Sequence, residues 1–174
     1  MITLIEALSF RCLRYIKQPL GPFHVLVGPN ASGKTTFLDV VAFLGRLVSD
    51  DLEAAIDERT RTFDDLVWGR TGKGFELAVE AKIPEDRREK LANKQFEIIR
   101  YEVSIGLNPD TSEVSILGEK AFLKKFHPAS EIPIQREFFP HMCRLLSYGP
   151  ALLMPVVSLH PSGESSINVI SLFH

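Results

Sequence analysis

An α/β fold carrying an antiparallel lobe is predicted by three features of this 174-residue chain. A short apolar run at 23–27 leads into a glycine-rich loop. The loop runs directly into a stretch with helical spacing. Beyond it, up to residue 122, come runs of alternating polarity separated by turn residues.

Taken in order, residues 2–8 are apolar-rich and read as a strand, and 10–16 either continue it or pair beside it. Pro19, Gly21 and Pro22 mark a turn. Phe23, Val25, Leu26 and Val27 then form a strand of the buried type, which Gly28 ends. In residues 34–48, Phe37, Leu38, Val41, Leu44, Leu47 and Val48 recur at i, i+3, i+4, the spacing of an amphipathic helix. Strand, loop and helix together make a βα unit. Residues 50–61 are charged and read as helical, with Leu52, Ala55 and Ile56 on one face. Phe75, Leu77, Val79, Ala81 and Ile83 alternate with polar neighbours, so 75–83 is a half-buried strand closed by Pro84. Residues 85–95 are a solvated charged stretch. Strands at 96–107 and 113–122 flank the turn residues Asn108, Pro109, Asp110 and Thr111, a hairpin. Further on, 138–146 reads as a helix and 152–159 as a strand interrupted by Pro155. Residues 162–173 read as a helix with a capping-like start.

Composition narrows the class. Hydrophobic residues make up 45% and charged residues 24%, which is globular and excludes intrinsic disorder. The formal net charge of −2 excludes a protein that coats nucleic acid through overall basicity. Cys12 and Cys143 form no C-x-x-C pair, so two reduced thiols are expected rather than a disulfide or zinc framework. No secretory leader and no apolar run of about 18 residues is present, so neither export nor a transmembrane helix is expected, and the cytoplasm is the expected location.

The sharpest signal is Gly28-Pro29-Asn30-Ala31-Ser32-Gly33-Lys34-Thr35, which fits G-x-x-x-x-G-K-S/T at every fixed position. A nucleoside triphosphate carries several negative charges that must be held out of water. Glycines let the backbone curl so that successive N–H groups point inward. The helix that follows adds its positive N-terminal end. Lys34 is expected between the β- and γ-phosphates, the Thr35 hydroxyl on Mg²⁺ and Thr36 at the α-phosphate. A nucleoside triphosphate with Mg²⁺ is therefore the expected ligand, and a helix-capping glycine turn is the plain alternative.

With these residues in place, the chain resembles a known family. Ile5-Glu6-Ala7-Leu8-Ser9-Phe10-Arg11-Cys12-Leu13, the loop GPNASGKT and then Thr36-Phe37-Leu38-Asp39-Val40-Val41 look like the start of an SMC/RecF-like ABC-type ATPase head. Such proteins open with "I..F.S", GPNGSGKS/T and "N.LDAI". Here Ala31 replaces the usual Gly, and Thr36 the common Asn. Phe63-Asp64-Asp65-Leu66-Val67-Trp68-Gly69-Arg70 is similar to the "FEELLWRG" segment of a bacterial branch related to OLD-type and AAA-labelled ATPases. The resemblance spans roughly residues 1–126.

It implies the N-terminal portion of a P-loop NTPase head of ABC type. Residues 1–48 would form the strand, loop and helix core, 49–126 the antiparallel lobe, and 127–174 the start of a lid or helical region. It also implies ATP-driven pairing of two heads, as a homodimer or with a partner ATPase or effector subunit, in DNA maintenance or anti-phage defence. DNA is a candidate partner. An apolar strand ending Asp-Glu and a Leu-Ser-Gly-Gly-type signature loop, which hydrolysis requires in the family, are not recognised here. Leu159-His160-Pro161-Ser162-Gly163-Glu164 has a superficial likeness to the signature and reads better as a turn capping a helix. The chain is thus expected to be a fragment or a split subunit. A stand-alone P-loop kinase or GTPase, or a nucleotide-binding interaction module without hydrolysis, are the alternatives.

Weaker candidates complete the set. Arg11 and Arg14 lie near the first strand, where basic residues of relatives approach nucleotide; exposed edge charges are the alternative. Gln95 and Gln135 are the glutamines available for sensing Mg²⁺, and both read better as surface side chains. His141 and Cys143 stand two apart and do not share a helix face. Lys120, Lys124 and Lys125 read as a solvated face rather than a nucleic-acid contact.

Overall fold

The computed structural model describes residues 1–125 throughout and the backbone of Leu153–Leu159 and Ser165–Ser171. The strands are β1 (Ile2–Phe10), β2 (Leu13–Pro19), β3 (Val25–Leu26), β4 (Gly74–Lys82), β5 (Ile98–Leu107), β6 (Val114–Lys124), β7 (Leu153–Leu159) and β8 (Ser165–Ser171). The helices are α1 (Lys34–Ser49), α2 (Leu52–Asp57) and the single turn α3 (Glu85–Arg88). Two 3₁₀ turns, Phe63–Leu66 and Trp68–Arg70, connect α2 to β4.

Five strands form one sheet in the order β2-β1-β4-β5-β6, every neighbour antiparallel. The alternation read from the sequence decides its two faces. Ile5 lies opposite Val79, and Ala7 opposite Leu77, which lies opposite Val103. This apolar face packs on α1 through Phe37, Val40, Phe43, Leu44 and Leu47. Residues 1–48 and 49–125 therefore share one sheet and one core. The hairpin turn forms as expected: Asn108 N–H donates to Glu113 O at 2.8 Å, and the Asn108 side chain accepts from Asp110 N–H at 2.9 Å.

The opposite face is polar and yet largely buried. Arg100 is fully enclosed. It donates to Glu6 at 2.8 Å, Glu80 at 3.1 Å and Glu102 at 2.5 Å. Lys124 bonds Glu80 at 2.7 Å, so it joins this network instead of the solvated face expected of it. Beside them Glu76 keeps its proton above the ordinary value of 4.5, first because it is buried and then because Glu102 and Glu6 repel its charge. The folded state thus holds this proton more tightly than the unfolded chain. The associated stability is complete below pH 4.5 and is lost as pH rises through the raised value. Glu76→Gln is accordingly expected to melt higher than wild type at pH 8, with the gap closing as pH falls toward 4.5. Melting curves across that range check it, and a gap independent of pH contradicts it.

Three further expectations are corrected. The strand before the loop is short and not of the buried type. Leu26 packs against the core, but Phe23 is 54% exposed, and Val25 and Val27 also face out. Its partner is β7, in a separate antiparallel sheet of order β3-β7-β8. Pro155 does not interrupt β7, which pairs through it with Val169. The helix expected at 162–173 is replaced over Ser165–Ser171 by β8, paired along its length with β7. Cross-strand pairing with the neighbouring β7 outweighs the local helical spacing there. The helix expected at 138–146 lies outside the described residues.

Candidate functional site

The loop leaves β3 at Gly28 and enters α1 at Lys34. Gly33 caps the helix with φ 86°, a left-handed conformation that an L side chain rarely adopts. A Cβ there would also lie 3.2 Å from Cys12 Sγ, so glycine suits the position on two counts. Ala31 takes φ 63°, also left-handed. The Cβ of alanine costs about 1–2 kcal/mol in this region, which is a physical reason for glycine to be usual here.

α1 is 16 residues long, and its start is bare of competitors. No side chain caps it, and its first turn holds no acidic residue. The first intrahelical bond is Phe37 N–H to Gly33 O at 2.8 Å. The N–H groups of Lys34, Thr35 and Thr36 therefore have no helical acceptor and carry the positive end of the helix dipole. An anion fits this vacancy in the donor count.

Lys34 reaches back across the loop. Its ammonium donates to Gly28 O at 2.8 Å, Pro29 O at 2.7 Å and Ser32 Oγ at 3.3 Å. Three donors on three loop acceptors hold the charge at the loop's centre and keep the loop curled around it. Ser32 is buried, while Pro29, Asn30 and Ala31 stand exposed at the rim. Thr35 is exposed. Thr36 is half-buried and accepts from the Cys12 thiol at 3.3 Å. These residues fit a nucleotide with Mg²⁺: donors for phosphate at the helix start, a lysine at the loop, and an exposed threonine beside it.

The β1–β2 turn brings Arg11 and Cys12 to the same place. A cleft of about 490 Å³ lies beside Thr36, bounded by Arg11, Cys12, Asp65, Gly69 and Arg70. Arg11 thus shares this cleft with Thr36 of α1. Arg14 stacks over the Trp68 ring at 5.4 Å. Gln95 is exposed in the segment before β5. Gln135, His141, Cys143 and residues 160–164 lie outside the described residues. Among the described residues no cluster of three His, Cys, Asp or Glu is placed to hold a metal, and no helix is long and apolar enough to cross a membrane.

Sequence reading missed two participants. Asp39 binds Arg11 at 2.9 Å through Oδ2 and Arg59 at 2.8 Å through Oδ1. Asp39 falls one helical turn after Thr35, so its place on α1 was readable. Arg59 gave no signal within its charged run.

Comparison with known proteins adds two findings. A family model described as "AAA domain, putative AbiEii toxin, Type IV TA system" matches residues 23–141. The OLD nuclease of Thermus scotoductus (strain ATCC 700910 / SA-01) is 46% identical over 41 residues, 24% of this chain and 8% of that protein. The chain is thus matched to a small part of that relative's length.

Proposed function

Because the chain belongs to the AAA-domain family whose model spans residues 23–141, we propose that it is the ATP-binding segment of an ABC-type ATPase of the SMC, RecF and OLD kind. In this reading Gly28 to Gly33 and the first N–H groups of α1 hold the phosphates. Lys34 neutralises the β- and γ-phosphates, and Thr35 ligates Mg²⁺. Mg²⁺ supplies charge neutralisation when bound. Nucleotide binding draws two heads together, and hydrolysis is completed by an acid-bearing strand and a signature loop from elsewhere in the protein or from a partner. Defence against phage or DNA maintenance is the proposed setting. The similarity to an OLD nuclease supports placement among OLD-related ATPases.

The observation that carries the reading is the uncapped, acid-free start of α1 with Lys34 curled over the loop. Titration calorimetry of the full chain with Mg-ATP tests it. Lys34→Ala is expected to weaken binding about 100-fold, the equivalent of roughly 2.7 kcal/mol for one lost charged contact. Thr35→Ala is expected to weaken ATP only when Mg²⁺ is present. Unchanged affinity in Lys34→Ala would sink the assignment.

A further inference from the structure

Arg11 occupies a turn that leaves its backbone little freedom. Its φ is 52°, and its N–H donates to Leu66 O at 2.8 Å. Its side chain is 39% exposed and borders the cleft beside Thr36. A long guanidinium so placed would sample many rotamers unless something held it.

Asp39 holds it. The carboxylate lies on α1, four residues after Thr35 and three after Thr36, so it stands above them on one face of the helix. Oδ2 accepts from Arg11 Nη1 at 2.9 Å. Oδ1 accepts from Arg59 Nε at 2.8 Å. Arg59 is itself pinned: its side chain is only 8% exposed, Nη1 donates to Ala55 O at 2.9 Å, and the guanidinium lies 5.2 Å from the Phe43 ring centroid. The order runs from a buried arginine, through a carboxylate, to an exposed arginine at the cleft.

A simple surface ion pair would not need this arrangement. One oxygen would suffice, and the carboxylate would be free to turn toward solvent. Here Arg59 fixes one oxygen, so the other points in a set direction. We infer that Asp39 is a positioning residue for nucleotide binding: locked by Arg59, it presents the Arg11 guanidinium to ATP on the Thr36 side of the loop. The inference rests on the ATP-binding reading above.

A double-mutant cycle on the full chain tests it, with the Kd for Mg-ATP and the melting temperature read for each variant. Arg11→Ala and Asp39→Asn are each expected to weaken ATP about 10-fold, the low end for a charged contact because Arg11 is part-exposed. The double variant is expected to be no weaker than Arg11→Ala alone, because Asp39 acts only through Arg11. Asp39→Glu is expected to restore part of the affinity. The inference is overturned if Asp39→Asn weakens binding equally with and without Arg11, if Asp39→Asn binds as wild type, or if Arg11→Ala leaves Kd unchanged. In that last case a Lys34→Ala variant that still loses ATP leaves the nucleotide reading standing. If Lys34→Ala also binds normally, the reading itself fails. Should Asp39→Asn not fold, Arg59→Lys serves in its place: weaker ATP binding only when Arg11 is present supports the inference, and equal weakening refutes it.

Discussion

Replacing Arg100 with methionine is expected to destabilise the protein by about 3–5 kcal/mol, the usual cost of removing one partner from a buried ionic network. Arg100 is completely buried, and its three donor groups serve Glu6, Glu80 and Glu102. Removing it leaves Glu6 and Glu102, both almost fully buried, without their principal counter-charge. One oxygen of Glu102 already lacks a hydrogen-bond partner. Since whole domains are stable by only about 5–15 kcal/mol, this loss is a large share of the total. Denaturant titration is expected to show a lower midpoint with an unchanged slope. A triple variant, Arg100→Met with Glu6→Gln and Glu102→Gln, is expected to recover most of the stability, because the charges leave together. An Arg100→Met protein within about 1 kcal/mol of wild type would contradict the role given to Arg100 in this network.

Phe43→Ala is expected to cost a similar amount, about 3–5 kcal/mol. Phe43 is fully buried on α1, with its ring 5.8 Å from Phe10 and 5.5 Å from Phe75 in edge-on arrangements. Phe10 and Phe75 come from β1 and β4, so this cluster is where helix and sheet are joined. Truncation opens a cavity and removes the ring on which Arg59 rests. Leu38→Ala, on the same helix but 59% exposed, is expected to stay within about 0.5 kcal/mol of wild type. Melting curves of the two variants decide the matter: equal losses would show that α1 does not pack through its Phe43 face.

Much of this was legible in the residues. The loop was readable because a phosphate-binding turn needs glycine, lysine and a hydroxyl at set intervals. β4 and β5 were readable because one face of each meets the core, which imposes period-two alternation, and β6 because the turn residues at 108–111 set it beside β5. Where spacing was short or ambiguous, reading failed. Phe23, Val25 and Val27 look like a buried strand in isolation, yet burial requires neighbours on both faces. Ile167, Ile170 and Leu172 suggested a helix at 162–173, but pairing with β7 makes Ser165–Ser171 a strand. Lys124 looked like a solvent charge until its cross-strand position placed it against Glu80.

By itself, then, the sequence determined the mixed α/β class, the phosphate loop and its lysine and threonine, and the hairpin at Asn108. Those features are local, and the residues that make them are adjacent in the chain. The tertiary structure alone decided the strand order β2-β1-β4-β5-β6, the burial of Arg100 among acids from three strands, and the clamp from Arg59 through Asp39 to Arg11. Each depends on residues tens of positions apart, such as Glu6 and Arg100. A charge carries no local mark of the partner it will meet, because electrostatic pairing acts through space and not along the chain.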